Sequence, residues 1–201
     1  MNFYSKKNRV TLEDGVVIKR HSDVFSSIRE ARALTELREA GLAVPFLLGR
    51  DENVIRMEYI PGEIYHALTE EMTPEHALAL ADWLAKYHDI TGLLRGDVNL
   101  RNFIWNGREC VGVDFEDVPA AGEREADMGK ILAFAVTYKP CLSPGKTECA
   151  RQLLRAFVKT GGRKEKIRSF YLGEILDMER RRKGDFPGAE ALGVYWEEFD
   201  R

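Results

Sequence analysis

At 201 residues the chain is long enough for one large domain, or for two small lobes around a cleft, with a real buried core. Its apolar fraction of 44% and charged fraction of 31% are ordinary for a soluble globular protein and argue against a disordered or low-complexity chain. A net charge of −3 argues neither for nor against a polyanionic partner. No apolar run approaches the length of a membrane span, and Met1-Asn2-Phe3-Tyr4-Ser5-Lys6-Lys7 does not read as a signal peptide, so the cytoplasm is the expected compartment.

Short strands open the chain: Arg9-Val10-Thr11-Leu12, a turn at Glu13-Asp14-Gly15, then Val16-Val17-Ile18-Lys19. From Asp23 to Ala40 the pattern turns helical, and Gly41 is a natural stop. Ala43-Val44-Pro45-Phe46 leads into another strand pair whose second member is Val54 to Ile60, and Pro61-Gly62 breaks the chain sharply. Strand signals crowd the first sixty residues and helical ones dominate after seventy. That segregation predicts an α+β, bilobal architecture, with a small β-rich lobe over 1–60 and a helical lobe over 61–201.

Thr73-Pro74-Glu75 is a helix start, with Thr as cap and Pro at the first helical position. The helix carries Leu80, Leu84 and Tyr87 on its apolar stripe and should end near Thr91-Gly92. Phe103-Ile104-Trp105 and Glu109 to Val113 are β-prone runs, and Asn106-Gly107 between them signals a hairpin. Asp127 precedes a helix over Met128 to Val136, and further helical stretches run around Ala150 to Thr160 and Lys166 to Arg182.

Cys110, Cys141 and Cys149 have neither metal-ligand spacing nor the look of a disulfide framework, and Cys110 reads as a small core residue. The four histidines are scattered singly, which gives a histidine metal site little support. Residues 151–184 carry eleven Lys or Arg against four acids, ending in Arg180-Arg181-Arg182-Lys183, and the tail from Asp185 turns acidic. The plainer reading of that segment is a solvated helix face; the sharper one is a docking patch for an anionic partner.

Two stretches carry the chemistry: Arg95-Gly96-Asp97-Val98-Asn99-Leu100-Arg101-Asn102, and Val111-Gly112-Val113-Asp114-Phe115-Glu116. An Asp followed five residues later by Asn, then an apolar hairpin, then Asp-Phe, is the order in which kinases deliver a catalytic base and two magnesium ligands. The hairpin returns the chain to its starting end, which should bring Asn102 and Asp114 together beside Asp97. Asp97 is then the candidate base, Asp114 the principal metal ligand and Asn102 the second, oxygen donors that suit hard magnesium. Turn formation by Asp97 and Asn102, with Asp114 merely ending a strand, is the competing reading. Lys19, ending its strand, is the best-placed cation for nucleotide phosphates, against the plainer reading of a solvated lysine at a strand end. Glu30 shares the inward helix stripe with Ala33, Leu34 and Leu37, and a buried carboxylate needs a partner; Lys19 is the natural one. Ser27-x-x-Glu30 also fits a capping box, although the ion pair is favoured.

These residues carry a resemblance. Ile28 to Leu34 with Gly41-Leu42-Ala43-Val44-Pro45 resembles the helix and following strand of aminoglycoside phosphotransferases and related compact kinases. Met57-Glu58-Tyr59-Ile60-Pro61-Gly62 is similar to their lobe-connecting hinge, which implies adenine contacts from the backbones of Glu58 and Ile60. Leu84-Ala85-Lys86-Tyr87-His88 resembles the end of the helix before their catalytic loop, where His88 is structural, and Asp127 looks like the Asp that braces that loop. The matches run in order from Lys19 to about Phe134. They point to the protein-kinase-like superfamily, including small atypical kinases of the RIO and tRNA-modification-associated types.

The resemblance implies ATP and magnesium as cofactors and a hydroxyl acceptor, a protein Ser/Thr or a small molecule, that the sequence does not choose. Three departures stand against the family pattern. Arg95 replaces the usual His, no glycine-rich loop precedes Lys19, and the segment between Asp114 and Asp127 is too short for a long activation loop. The first reading is thus a magnesium-dependent phosphotransferase; the alternative is a kinase-like nucleotide-binding scaffold that has lost catalysis.

Overall fold

Five strands form an antiparallel sheet at the start of the computed structural model, which describes residues 2–3, 7–182, 188–194 and 196–199. Tyr4, Ser5 and Lys6, in the stretch before Lys19 that lacks the family's glycine-rich loop, lie outside the described residues, as do Lys183 and Asp185. The strands are β1 (Asn2–Phe3), β2 (Arg9–Glu13), β3 (Val16–Arg20), β4 (Leu47–Asp51) and β5 (Val54–Glu58), in the order β1-β2-β3-β5-β4. Register aligns Val10, Lys19 and Ile55 in one row and Leu12, Val17 and Met57 in the next on that face. Lys19 therefore projects from a central strand among apolar neighbours.

Helix α1 (Val24–Glu39) packs on β4 and β5. Asp23 caps it, accepting from the Ser26 amide at 2.8 Å. Leu34, Leu37 and Glu30 are buried on its inner stripe, while Arg32 and Glu36 pair in solvent at 2.6 Å. The capping-box alternative for Glu30 fails, because the helix begins at Val24 and the Ser27 hydroxyl donates to the carbonyls of Val24 and Glu52.

β5 stops at Glu58, short of the Ile60 expected from sequence. The chain is approaching Pro61, which cannot donate to a ladder and biases the residue before it. Gly62 then passes so close to Trp105 that any Cβ would strike its carbonyl oxygen. That approach lets β6 (Glu63–Ile64) pair with β7 (Phe103–Trp105), which pairs with β8 (Cys110–Gly112). The predicted hairpin is present, shortened at Glu109 and Val113, and gains an unforeseen third strand. Its loop is set by Asn106, whose side-chain oxygen accepts from the amides of Arg108 and Glu109, both at 2.9 Å.

The remaining elements are helical: α2 (Pro74–Thr91), α3 (Glu125–Thr137), α4 (Pro144–Lys159), α5 (Lys164–Arg181), α6 (Ala189–Val194) and α7 (Trp196–Phe199). Thr73 caps α2 and Gly92 ends it, as read from sequence. α4 begins at Pro144 rather than near Ala150, because Ser143 caps it through the Lys146 amide. Leu80, Leu84, Met128, Ile131, Phe157 and Tyr171 fill the core between these helices, and Cys110 is buried as expected. Among the described residues no helix is long and apolar enough to cross a membrane.

Trp83 joins α2 to the ribbon. Its ring stacks on Tyr87 and meets Phe103 edge-on, and its Nε1 donates to the Ala43 carbonyl at 2.7 Å. The Gly112 amide donates to that same carbonyl at 3.1 Å, with the Trp83 ring directly against its Cα. A Cβ at Gly112 would overlap the indole. Gly112→Ala should therefore destabilise the fold by about 1–3 kcal/mol, the usual cost of overpacking, read from the shift of the urea unfolding midpoint.

Candidate active site

The site is built around one buried ammonium. Lys19, 5% exposed, donates to Glu30 Oε2 at 2.7 Å and to Asp114 Oδ1 at 2.5 Å, and lies 3.5 Å from Glu116 Oε2. Glu30 also accepts from the Phe115 amide at 3.2 Å through its other oxygen. A single helix carboxylate thus holds both the lysine of β3 and the backbone after Asp114. Arg29 adds a second tie, donating to the Glu116 carbonyl at 2.6 Å.

Asp114 has φ 66°, a left-handed conformation that Asp tolerates better than most residues. It follows the end of β8, where the Val113 amide donates to the Asn102 carbonyl at 2.9 Å. Asn102 and Asp114 are thereby brought to the same end of the ribbon. The Asn102 side-chain amide donates to the Asp97 carboxylate at 2.9 Å and to its carbonyl at 3.2 Å. Both partners are acceptors, so the amide orientation is fixed and Asn102 Oδ1 is left facing away from them. Among the described residues that oxygen has no hydrogen-bond donor. A neutral oxygen and a charged one supplied from the same end of the ribbon are a donor set that suits magnesium.

The loop carrying Asp97 is braced from α3. Asp127 accepts from the Arg95 amide at 2.7 Å, the Gly96 amide at 3.1 Å and His88 Nε2 at 2.8 Å. α3 starts at Glu125, so Asp127 lies within its first turn rather than ahead of it, and it turns back to brace the loop as the resemblance implied; His88, buried against it, is structural, as expected. Lys130 of α3 donates to the Gly96 carbonyl at 2.8 Å. Arg95 is buried and donates to the carbonyls of Val113, at 2.9 Å, and Asp114, with its guanidinium 4.4 Å from the Phe115 ring centre. Beside Asp97 opens a cleft of about 420 Å³, lined by Arg95, Gly96, Asp97, Asp117, Val118 and Lys130.

Glu58 and Ile60 lie apart from this cluster. The Glu58 amide donates to the Phe46 carbonyl, and its carboxylate accepts from the Phe46 amide at 3.0 Å and Arg38 at 3.4 Å. A base could use only the Glu58 carbonyl. The Ile60 amide has no partner among the described residues. In the basic segment, Arg151, Arg163, Lys166, Arg168, Arg180 and Arg181 all pair with nearby acids, so much of its charge is matched locally.

The sequence profile of the RIO domain matches residues 5–128, which take in Lys19, Glu30, Asp97, Asn102 and Asp114 but not Lys130. The chain belongs to the RIO domain family. Among curated relatives of this RIO protein is the KEOPS complex subunit Bud32 of Pyrococcus abyssi, 33% identical over 95 residues, or 44% of this chain and 43% of the relative. A probable bifunctional tRNA threonylcarbamoyladenosine biosynthesis protein of Methanosarcina acetivorans is 28% identical over 102 residues, 48% of this chain and 18% of the relative. The match spans less than half the length of either relative. An ADP-bound aminoglycoside phosphotransferase, APH(2'')-Ib, superposes with a TM-score of 0.68 at 14% identity, over 98% of this chain and 90% of that one. At that identity the likeness is one of fold: α+β, bilobal and protein-kinase-like.

Three residues that sequence reasoning passed over join this cluster: His21, Arg95 as a clamp, and Glu116. His21 had a signal, since it sits two residues from Lys19 and so shares its side of the strand. Glu116 is held well below the usual carboxylate range, at about 2, chiefly by His21, with burial opposing and Lys19 and Asn8 assisting. In Glu30 burial opposes ionisation, but His21 and Lys19 outweigh it and its pKa is lowered. Asp114 goes the other way: burial raises it, Lys19 offsets only part, and Glu30 adds repulsion. Burial also opposes the Lys19 charge, which Glu30 and Asp114 more than restore.

Glu116 sets an acid limit. In the unfolded chain its carboxyl titrates near 4.5, against about 2 when folded, so below about 4.5 the unfolded state takes up a proton first. Its stabilisation is complete above that value and fades as the pH falls towards about 2. Glu116→Gln should lose less stability than the parent across that interval, measured as urea midpoints at stepped pH.

Proposed function

We propose that this chain is a magnesium-dependent phosphotransferase that moves the γ-phosphate of ATP to a hydroxyl acceptor. The observation that carries this reading is the convergence of Lys19, Glu30 and Asp114 with Asp97 and Asn102 at one end of the ribbon. Membership of the RIO family supports ATP-dependent phosphotransfer in general terms. Residues 1–60 serve as the nucleotide lobe and 61–201 as the catalytic lobe, with the Glu58 carbonyl and the Ile60 amide facing adenine.

Phosphoryl transfer asks a protein for positioning and charge rather than covalent chemistry. Lys19, kept charged and aimed by Glu30, binds the phosphates. Asp114 and Asn102 would hold magnesium, which would neutralise phosphate charge when bound. Asp97 accepts or orients the acceptor's hydroxyl proton, and its carboxylate is held in place by Asn102 and by the loop that Asp127 braces. The cleft beside Asp97 is where the acceptor enters. A scaffold without catalysis is the second reading, favoured by one observation: no glycine occurs between Tyr4 and Arg9 to wrap the phosphates.

Purified protein with labelled ATP and magnesium, tested for autophosphorylation, hydrolysis and transfer to a panel of hydroxyl compounds, separates the two. A protein that binds ATP yet transfers phosphate to nothing, water and itself included, is the scaffold.

Asp97→Asn should lose about 10²–10⁴-fold in turnover, the usual share of a general base, with little change in nucleotide affinity by calorimetry. Survival of full turnover would show that the loop has been misread.

Lys19→Ala should weaken ATP much more than adenosine, since only the phosphates lose their cation. Equal weakening of both would remove Lys19 from the site.

A further inference from the structure

His21 takes no part in the chemistry above, yet it is 2% exposed and sits beside Lys19. Asn53 pins its backbone from both sides: the His21 amide donates to the Asn53 carbonyl at 2.8 Å, and the Asn53 side chain donates to the His21 carbonyl at 2.7 Å. The ring is held between carboxylates of two different elements. Nε2 lies 3.1 Å from Glu30 Oε2 of α1, and Nδ1 lies 3.3 Å from Glu116 Oε2, past the end of β8. Both are ion contacts out of line with the ring N–H directions, and the ring has no other polar partner among the described residues.

Chemistry decides what such a ring is. A neutral imidazole offers one N–H and one lone pair, so it would turn a lone pair on one of the two carboxylates. The imidazolium carries a proton on both nitrogens, so its charge attracts each carboxylate even where the contact is bent. The charges agree: Glu30, Glu116 and Asp114 crowd around Lys19, and a second cation offsets a negative excess in a buried place. Burial opposes the ring's charge, but Glu116 and Glu30 prevail and its pKa is raised. His21, Glu30 and Glu116 are close enough together to suggest a divalent metal site. Against that, the two ring nitrogens address different carboxylates, and Lys19 Nζ already lies 2.7 and 3.5 Å from the same two groups. The cation position is taken.

We propose that His21 is a positioning residue, an imidazolium that ties Glu30 of α1 to Glu116 and so keeps Lys19 and Asp114 in register for magnesium nucleotide. Its consequence for nucleotide binding rests on the phosphotransferase reading; the tie itself does not.

The test uses His21→Phe, which keeps a ring and removes both nitrogens, with Glu116→Gln, singly and together, and His21→Gln as a milder variant. His21→Phe should weaken magnesium-ATP by about tenfold, the scale of a charged contact, and leave adenosine unchanged, with His21→Gln in between. The effects of His21→Phe and Glu116→Gln should be non-additive, both on magnesium-ATP affinity and on the urea midpoint, because each removes the same contact. In the parent, the His21 ring should titrate above the ordinary histidine range by NMR. Loss of ATP and adenosine affinity in equal measure, additive effects, or a ring that titrates as a free histidine would each overturn the proposal. If the parent binds no nucleotide, the phosphotransferase reading fails, and the unfolding cycle with the NMR titration still decides the tie.

Discussion

Everything near the site answers to the burial of one ammonium group. Lys19 sits in a central strand with almost no access to water, where an unpaired charge would cost several kcal/mol. Carboxylates can reach it only if α1 lies across the sheet with Glu30 inward and if the chain after β8 returns to the same point with Asp114. The pairing therefore fixes helix, sheet and ribbon relative to one another. Apolar side chains would serve stability as well or better in that place. The arrangement makes sense as a device that keeps a cation charged and aimed.

A second centre of order lies on the other side of the ribbon. Asp127 gathers the amides of Arg95 and Gly96 and the ring of His88, and Arg95 passes the connection on to the carbonyls of Val113 and Asp114. Asn102 then links Asp97 to the same ribbon. The loop bearing Asp97 and the segment bearing Asp114 are thus one hydrogen-bonded unit, although they come from different stretches of sequence. The RIO family relationship fits this, since the matched residues take in both stretches and Lys19.

Local physics was legible in the sequence. Asp23 and Thr73 announce helix starts, and the period of α1 places Glu30 among Leu34 and Leu37, from which a buried ion pair with Lys19 follows. Asn106-Gly107 announces the hairpin, and the hairpin implies that Asn102 and Asp114 share one end. What was missed has no local signature. β6 exists because Gly62 can approach Trp105, a contact between distant residues. The Arg95 clamp reads in sequence only as a departure from the expected His, and Glu116 as one more acid after Phe115. The early start of α4 is different: Ser143-Pro144 is a local cap signal of the same kind as Thr73-Pro74.

Arg95 has one more consequence. Its guanidinium covers Phe115 and holds two carbonyls of the neighbouring segment while almost wholly shielded from water. Swinging Phe115 outward would uncover the cation's aromatic partner, strip its acceptors and strand a charge in the interior. An imidazole in that position could lose its proton to ease the loss; a guanidinium has no such escape, because it stays charged at any ordinary pH. The Phe115 segment thus has one resting place and no cheap second one. The segment is thereby built into the same frame as the loop that bears Asp97.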